Sequence, residues 1–327
     1  MRAFLLLFLC LLPGGVFAAC GGNDLRLTLS PAEREQIQAD LADVPFKEGN
    51  HWIATKGTRR VHVIGTMHLN DPRMEKITKD LTPLITGADT LLLEATSADQ
   101  AAMQKQMGKT PSLYLITEGP SLIDRMGEED WALLSERSAA RGIPPWMAAK
   151  MRPWFLSLSL SLPPCLKQKE QIKDGMDRRL EMLAHENGVA TASLEDPLTV
   201  IETLNLHPLD EQVRQMRATL SLYGNGSPDD YRTMAESYFD EEARFYLALA
   251  KQRFKADTKL PAAEAEALWN EAMQLLIRER NHNWIPVIEA ADGDRIVVAV
   301  GALHLPGPDG VLNLLAKQGY HLQRTAF

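Results

Sequence analysis

The sequence predicts an α/β fold: a central mixed, mostly parallel sheet formed by the N- and C-terminal parts, with a large helical insertion between them. Three observations carry this. Two apolar β-prone runs near opposite ends, Val61–Ile64 and Val297–Val300, each lead into a Gly-x-x-His turn. Between residues 60 and 94 the pattern passes from strand to helix to strand, an order that favours parallel pairing. From about 111 to 290 the periodicity is mainly helical, and no Pro/Gly/Ser-rich linker separates this stretch from its flanks.

Composition is consistent with that reading. The chain has 327 residues, 45% of them hydrophobic, enough to bury a substantial core in a single domain spanning 19–327 with an insertion at about 111–290. Its 35 basic and 43 acidic residues give a net charge of −8, and no run of Lys and Arg could track a phosphate backbone, so nucleic acid is excluded as a partner.

Residues 1–18 read as an export signal: Arg2 supplies the charge, Ala3 to Leu12 the apolar core, and Val16-Phe17-Ala18 the cleavage site. No later stretch reaches the roughly 20 apolar residues of a spanning helix, so no transmembrane segment is expected. The expected destination is the periplasm or the exterior. There, Cys20 and Cys165 form an even pair in an oxidising compartment, and a Cys20–Cys165 bridge is predicted. The alternative is a lipoprotein-like Phe17-Ala18-Ala19-Cys20 site with a lipidated Cys20 and a free Cys165.

The elements follow in order. Ser30-Pro31-Ala32-Glu33 carries a helix cap, and the helix should run to about Ala42. His51–Thr55 and Arg60–Gly65 flank a turn-like Lys56-Gly57-Thr58-Arg59 and form a hairpin. Asp71-Pro72 opens a helix with Met74, Ile77, Leu81 and Leu84 on one face. Thr90–Glu94 is a buried strand, and Val189–Leu194 a further short strand within the helical stretch. Ser227-Pro228 starts one long helix bearing Tyr231, Met234, Tyr238 and Phe245; Ala262–Ala290 forms another, interrupted at Pro286. Arg295–Val300 is a strand, Asp309–Gln318 a helix closed by Gly319, and Tyr320–Gln323 the last strand.

The chemistry lies in an internal echo. Val61-His62-Val63-Ile64-Gly65-Thr66-Met67-His68-Leu69 aligns with Val297-Val298-Ala299-Val300-Gly301-Ala302-Leu303-His304-Leu305, and both end in Gly-x-x-His-Leu. In each, a glycine is expected to permit a tight exit from the strand, delivering a histidine at the sheet edge where α/β proteins place ligands. One such turn is common by chance; two in matching context point to paired imidazoles for a divalent metal. Glu94, after the apolar Leu91-Leu92-Leu93, supplies a carboxylate that needs a partner. His68, Glu94 and His304 thus form an incomplete shell that leaves room for water, the usual hydrolytic nucleophile. Glu195, also at a strand end, is a candidate general base, further ligand or simple helix start; Arg280 and Asn281 are candidates to orient a substrate carbonyl or Glu94. His62, mid-strand, reads as structural.

These residues resemble the TraB/GumN family, which is related to pheromone-shutdown proteins and to the TIKI metalloproteases. The resemblance spans nearly the whole mature chain and rests on Ile64–His68, Leu91–Glu94, Arg152-Pro153-Trp154, Gly175-Met176-Asp177 with Leu194-Glu195, Glu279-Arg280-Asn281, and most specifically Val300–Gly307. Two positions depart from the family pattern: aspartate follows Glu195 where threonine is expected, and Arg152 stands where lysine is usual. The resemblance implies a metal-dependent hydrolase, with His68, Glu94 and His304 on the ion (Mn, Co or Zn) and Arg280 with Asn281 in support. The expected substrate is a peptide or small molecule. A non-catalytic peptide- or haem-binding protein of the same fold is the alternative.

Overall fold

The computed structural model describes residues 20–161, 163–166, 175–222 and 228–327; the proposed signal at 1–18 lies outside them. Its six strands are β1 (His51–Lys56), β2 (Arg59–Thr66), β3 (Thr90–Leu93), β4 (Ala190–Ser193), β5 (Arg295–Gly301) and β6 (His321–Arg324), ordered β4-β3-β5-β2-β1-β6. The pairs β2/β5, β5/β3 and β3/β4 are parallel, while the β1/β2 hairpin and β6 close the other edge antiparallel. The mixed, mostly parallel sheet is as expected, and the strand expected at Val189–Leu194 within the helical stretch forms its β4 edge.

Period-two alternation distributes the strand residues between two cores. Ile296, Val298 and Val300 of β5, with Val61 and Val63 of β2, pack against Trp284, Ile285 and Ile288 of the helix Glu279–Ala290 and Val311–Leu315 of the helix Val311–Lys317. Val297 and Ala299, with Ile64, Leu91 and Leu93, face Met74, Leu81 and Ile85 of the helix Met74–Thr86 and Leu180 and Ala184 of the helix Met176–Glu186. Helices therefore cover both faces, which suits central strands that are apolar on both sides. Residues between 116 and 220 enclose a separate apolar cluster that includes Leu122, Leu134, Leu156 and Met216.

The first helix has the expected reciprocal cap, Ser30 with Glu33, and spans Pro31–Asp40. Two expectations for the later helices are corrected. The long helix from residue 228 is two, Pro228–Phe239 and Ala243–Asp257, because Glu241 adopts a φ of 61°. Tertiary bonds hold it there: its carboxylate accepts from Asn50 N (2.9 Å) and its carbonyl from Gly49 N (2.9 Å). In the second, Pro286 sits inside the helix Glu279–Ala290, and the interruption falls earlier, at a π-helical turn Gln274–Arg278.

The predicted Cys20–Cys165 bridge is present, spanning 145 residues with Cα atoms 5.5 Å apart. Cys20 is buried with Leu69, Leu166 and Tyr231, which ties the chain's entry to the segment just after His68. Among the described residues no helix is long and apolar enough to cross a membrane.

Candidate metal centre

The parallel strands β4, β3, β5 and β2 all end at the same edge of the sheet, and each delivers a polar residue there: Glu195, Glu94, His304 and His68. The echoed runs lie side by side, with Thr66 paired to Gly301. Both imidazoles converge on Glu94: His68 Nε2 and His304 Nε2 are each 3.8 Å from Glu94 Oε1.

Each ring is oriented through its other nitrogen. His68 Nδ1 donates to Asp177 Oδ2 at 2.7 Å, and Asp177 Oδ1 accepts from the Thr66 hydroxyl. Asn281 Nδ2 donates to the carbonyls of His304 (3.1 Å) and Asp309 (2.8 Å), so its Oδ1 must face His304 Nδ1, 2.6 Å away, and accept that proton. In both rings it is Nε2 that is left facing the shared oxygen. Carboxylate and amide groups behind metal-binding histidines have this function.

The glycines of the two turns act through space rather than through a left-handed backbone, which corrects the expected tight-exit role. Gly301 has φ −50° and ψ 135°, open to any residue. A Cβ there would lie 3.2 Å from Glu94 Oε1 and 3.6 Å from both His68 Nε2 and His304 Cδ2, within the cradle formed by the three side chains. A Cβ on Gly175 would be 2.3 Å from the His68 carbonyl oxygen, so only glycine lets the helix Met176–Glu186 dock on the first turn and bring in Asp177.

Arg280 links the carboxylates. Its Nη2 donates to Glu94 Oε2 at 2.6 Å, Nε donates to Glu195 Oε1 at 2.9 Å, and Nη2 also donates to Glu195. Nη1 donates to Leu276 O at 3.0 Å, within the π turn, and lies 3.4 Å from His304 Nε2. Of the two expected roles, the contact with Glu94 matches orientation of that carboxylate. Glu195 is the other anchor of Arg280.

The charges fit this arrangement. Burial alone would raise the Glu94 carboxyl, but His304, His68, Arg280 and the Gly301 N–H, which donates at 2.7 Å, hold it well below the usual carboxylate range. Burial lowers His304 to about 4, so its imidazole is neutral near pH 7. The Asp177 charge raises His68 above the ordinary histidine value. Its side chain is 59% exposed, whereas that of His304 is 6% exposed, so the cluster opens to solvent on the His68 side.

His68, Glu94 and His304 are donor types that could hold a divalent ion, and the absence of a Cβ on Gly301 leaves the space between them open. Among the described residues no three such donors already stand at a bound ion's spacing. The 3.8 Å separations exceed the roughly 3.3 Å edge of a tetrahedron with bonds of about 2.0 Å, so binding requires a contraction of about half an ångström. Asp177 and Thr66 were not singled out from sequence. Asp177 stands in the conspicuous Gly175-Met176-Asp177 block, but nothing local connects it to a histidine 109 residues away. His62 is engaged elsewhere, its Nδ1 donating to His51 Nε2 at 3.1 Å.

The cluster opens into a cleft of about 620 Å³, whose walls include Gln100 and Gln104 of the helix Ser97–Lys109 and Val200 and Ile201 of the helix Pro197–Leu204. A model of the TraB/PrgY/gumN family matches residues 50–324. The chain is also similar to the uncharacterized protein YbaP of Escherichia coli (strain K12) and to the protein of the same name from Shigella flexneri. Each is 25% identical over 273 residues, covering 82% of this chain and 94% of the relative.

Proposed function

We propose, from the premise that the chain belongs to the TraB/PrgY/gumN family, that it is an exported metal-dependent hydrolase acting on a peptide or a small carbonyl-containing substrate. The observation that carries this is the convergence of two histidine Nε2 atoms on one oxygen of an ionised glutamate. His68, His304 and Glu94 would hold the ion, and Mn, Co and Zn all suit two imidazoles and a carboxylate. A divalent ion held there supplies Lewis acidity to a carbonyl oxygen and acidifies water.

The remaining roles belong to the chain's own side chains. Asp177 and Asn281 keep the Nδ1 protons of His68 and His304 in place, so Nε2 is the nitrogen each ring presents to the site; His68, whose charged form Asp177 favours, would release its Nε2 proton on taking up an ion. Arg280, clamped by Glu195, fixes the Glu94 carboxylate and offsets its charge. Glu195 is therefore a positioning residue in this reading, since its oxygens are occupied by Arg280. The amide side chains of Gln100 and Gln104 offer hydrogen bonds to a peptide backbone, while Val200 and Ile201 offer apolar contact. The Cys20–Cys165 bridge supports an oxidising compartment.

Metal analysis of protein purified without a histidine tag, beside His304→Ala, tests the proposal. Near-stoichiometric Mn, Co or Zn in the parent and marked loss in the variant is the expected result; full retention removes His304 from the ligand set. Peptide turnover that stops with a chelator and returns with metal would support hydrolysis. An intense absorption band on haem addition, with no cleavage under any metal, would favour the non-catalytic binding reading.

A further inference from the structure

A second cavity, of about 790 Å³, is bounded by the helices Ala243–Asp257 and Ala262–Met273, the π turn and the loop at Pro306–Gly310. It shares no lining residue with the cleft at the histidine cluster. Its wall is cationic although the chain as a whole carries a net charge of −8. Lys251 and Lys255 are accounted for by Glu266, at 2.6 and 3.0 Å, and Arg278 Nε lies 3.9 Å from Asp309.

Arg244 has no such partner. Its Nε is buried without a hydrogen-bond partner, and among the described residues no carboxylate pairs with it. Burial and the neighbouring Arg278 both disfavour its charge. It sits in the first turn of a fifteen-residue helix whose cap residue, Glu242, is paired with Arg26 at 2.9 Å. Burial and a like charge thus both oppose a guanidinium at this position, and a bound anion would offset both. Trp269, Met273 and Ile277 line the same cavity and provide apolar surface.

We propose that this cavity binds an organic oxyanion, a carboxylate or phosphate ester, with its charged head on Arg244 and Arg278 and its apolar body along Trp269, Met273 and Ile277. The site is independent of the metal reading and stands or falls separately.

Titration of the full chain with inorganic phosphate and with benzoate, followed by calorimetry and by thermal unfolding, tests it. At least one probe should bind saturably and raise the unfolding midpoint, with benzoate the tighter if the apolar wall is used and phosphate the tighter if the head dominates. Arg244→Gln should weaken that binding about tenfold or more, and His304→Ala should leave it unchanged. Without any probe, Arg244→Gln should keep or raise the midpoint, because it removes a buried charge that nothing balances. Absence of binding by both probes, or unaltered binding in both Arg244→Gln and Arg278→Gln, would overturn the proposal. So would a lowered midpoint or failure to fold of Arg244→Gln, since Arg244 would then be a structural residue.

Discussion

Replacing Gly301 by alanine separates the two things a glycine can do, and the structure predicts which one is lost. The backbone at φ −50° and ψ 135° accepts alanine, so the main chain pays no conformational penalty, and stiffening the unfolded chain contributes about 0.4–1 kcal/mol in favour of folding. Against this, the new methyl carbon would sit 3.2 Å from Glu94 Oε1, a few tenths of an ångström inside comfortable contact, and 3.6 Å from His68 Nε2. Glu94 must give by a few tenths of an ångström, and the methyl group would occupy the space between the donors that an ion would draw together. Gly301→Ala should therefore keep its unfolding midpoint within a few degrees while its metal affinity falls about 10–100-fold, the range seen when a ligand's support is disturbed. Gly65→Ala provides the contrast: its Cβ would meet the Ala302 backbone at 3.1 Å and Leu305 at 3.2 Å, an overpacking that should cost about 1–3 kcal/mol of stability. Calorimetric metal titration and thermal unfolding of both variants decide the matter. A folded Gly301→Ala that binds metal as the parent does would refute the cradle argument.

Three further expectations follow from the same geometry. Asp177→Asn should weaken metal binding by about 10–100-fold and bring the His68 pKa, measured by NMR on metal-free protein, back down toward its ordinary value, because the charge that raises it is gone. His304 is held at about 4 against 6.5 in the free side chain, so the unfolded chain takes up this proton first as pH falls; its stabilisation is complete above about 6.5 and is lost down to about 4, by about 3 kcal/mol at most. His62, also near 4, titrates in the same window, so the test is whether the acid limb of a stability profile in chelator is shallower for His304→Ala than for the parent; equal slopes would exclude the contribution. Cys20→Ser with Cys165→Ser should cost about 2–4 kcal/mol in denaturant unfolding, and reductant should lower the parent toward the double variant but leave the double variant unmoved.

Much of the sheet edge was readable because it is written twice. The paired Gly-x-x-His runs, each after an apolar strand, placed His68 and His304 together before any coordinates, and the charge ending Leu91-Leu92-Leu93 identified Glu94. The capping residues of the first helix and the even cysteine pair were equally local signals. What escaped depended on distant contacts. Glu241 breaks a helix without glycine or proline because Gly49 and Asn50 bind it from another element. The π turn at Gln274–Arg278 has no composition signal, yet its Leu276 carbonyl receives Arg280, while Pro286, the obvious breaker, is accommodated within its helix. Asp177 reaches His68 only because Gly175 lets two segments touch, and touching is not a property of either segment alone.

The position of β5 has a consequence for biogenesis. It lies between β2 and β3 and carries the second histidine turn, yet it is the fifth strand in chain order. Until residue 301 has emerged, a growing polypeptide holds two half-sheets with a slot between them, and His304 is not yet beside Glu94. Such late, long-range closure favours slow folding and prolonged access for chaperones.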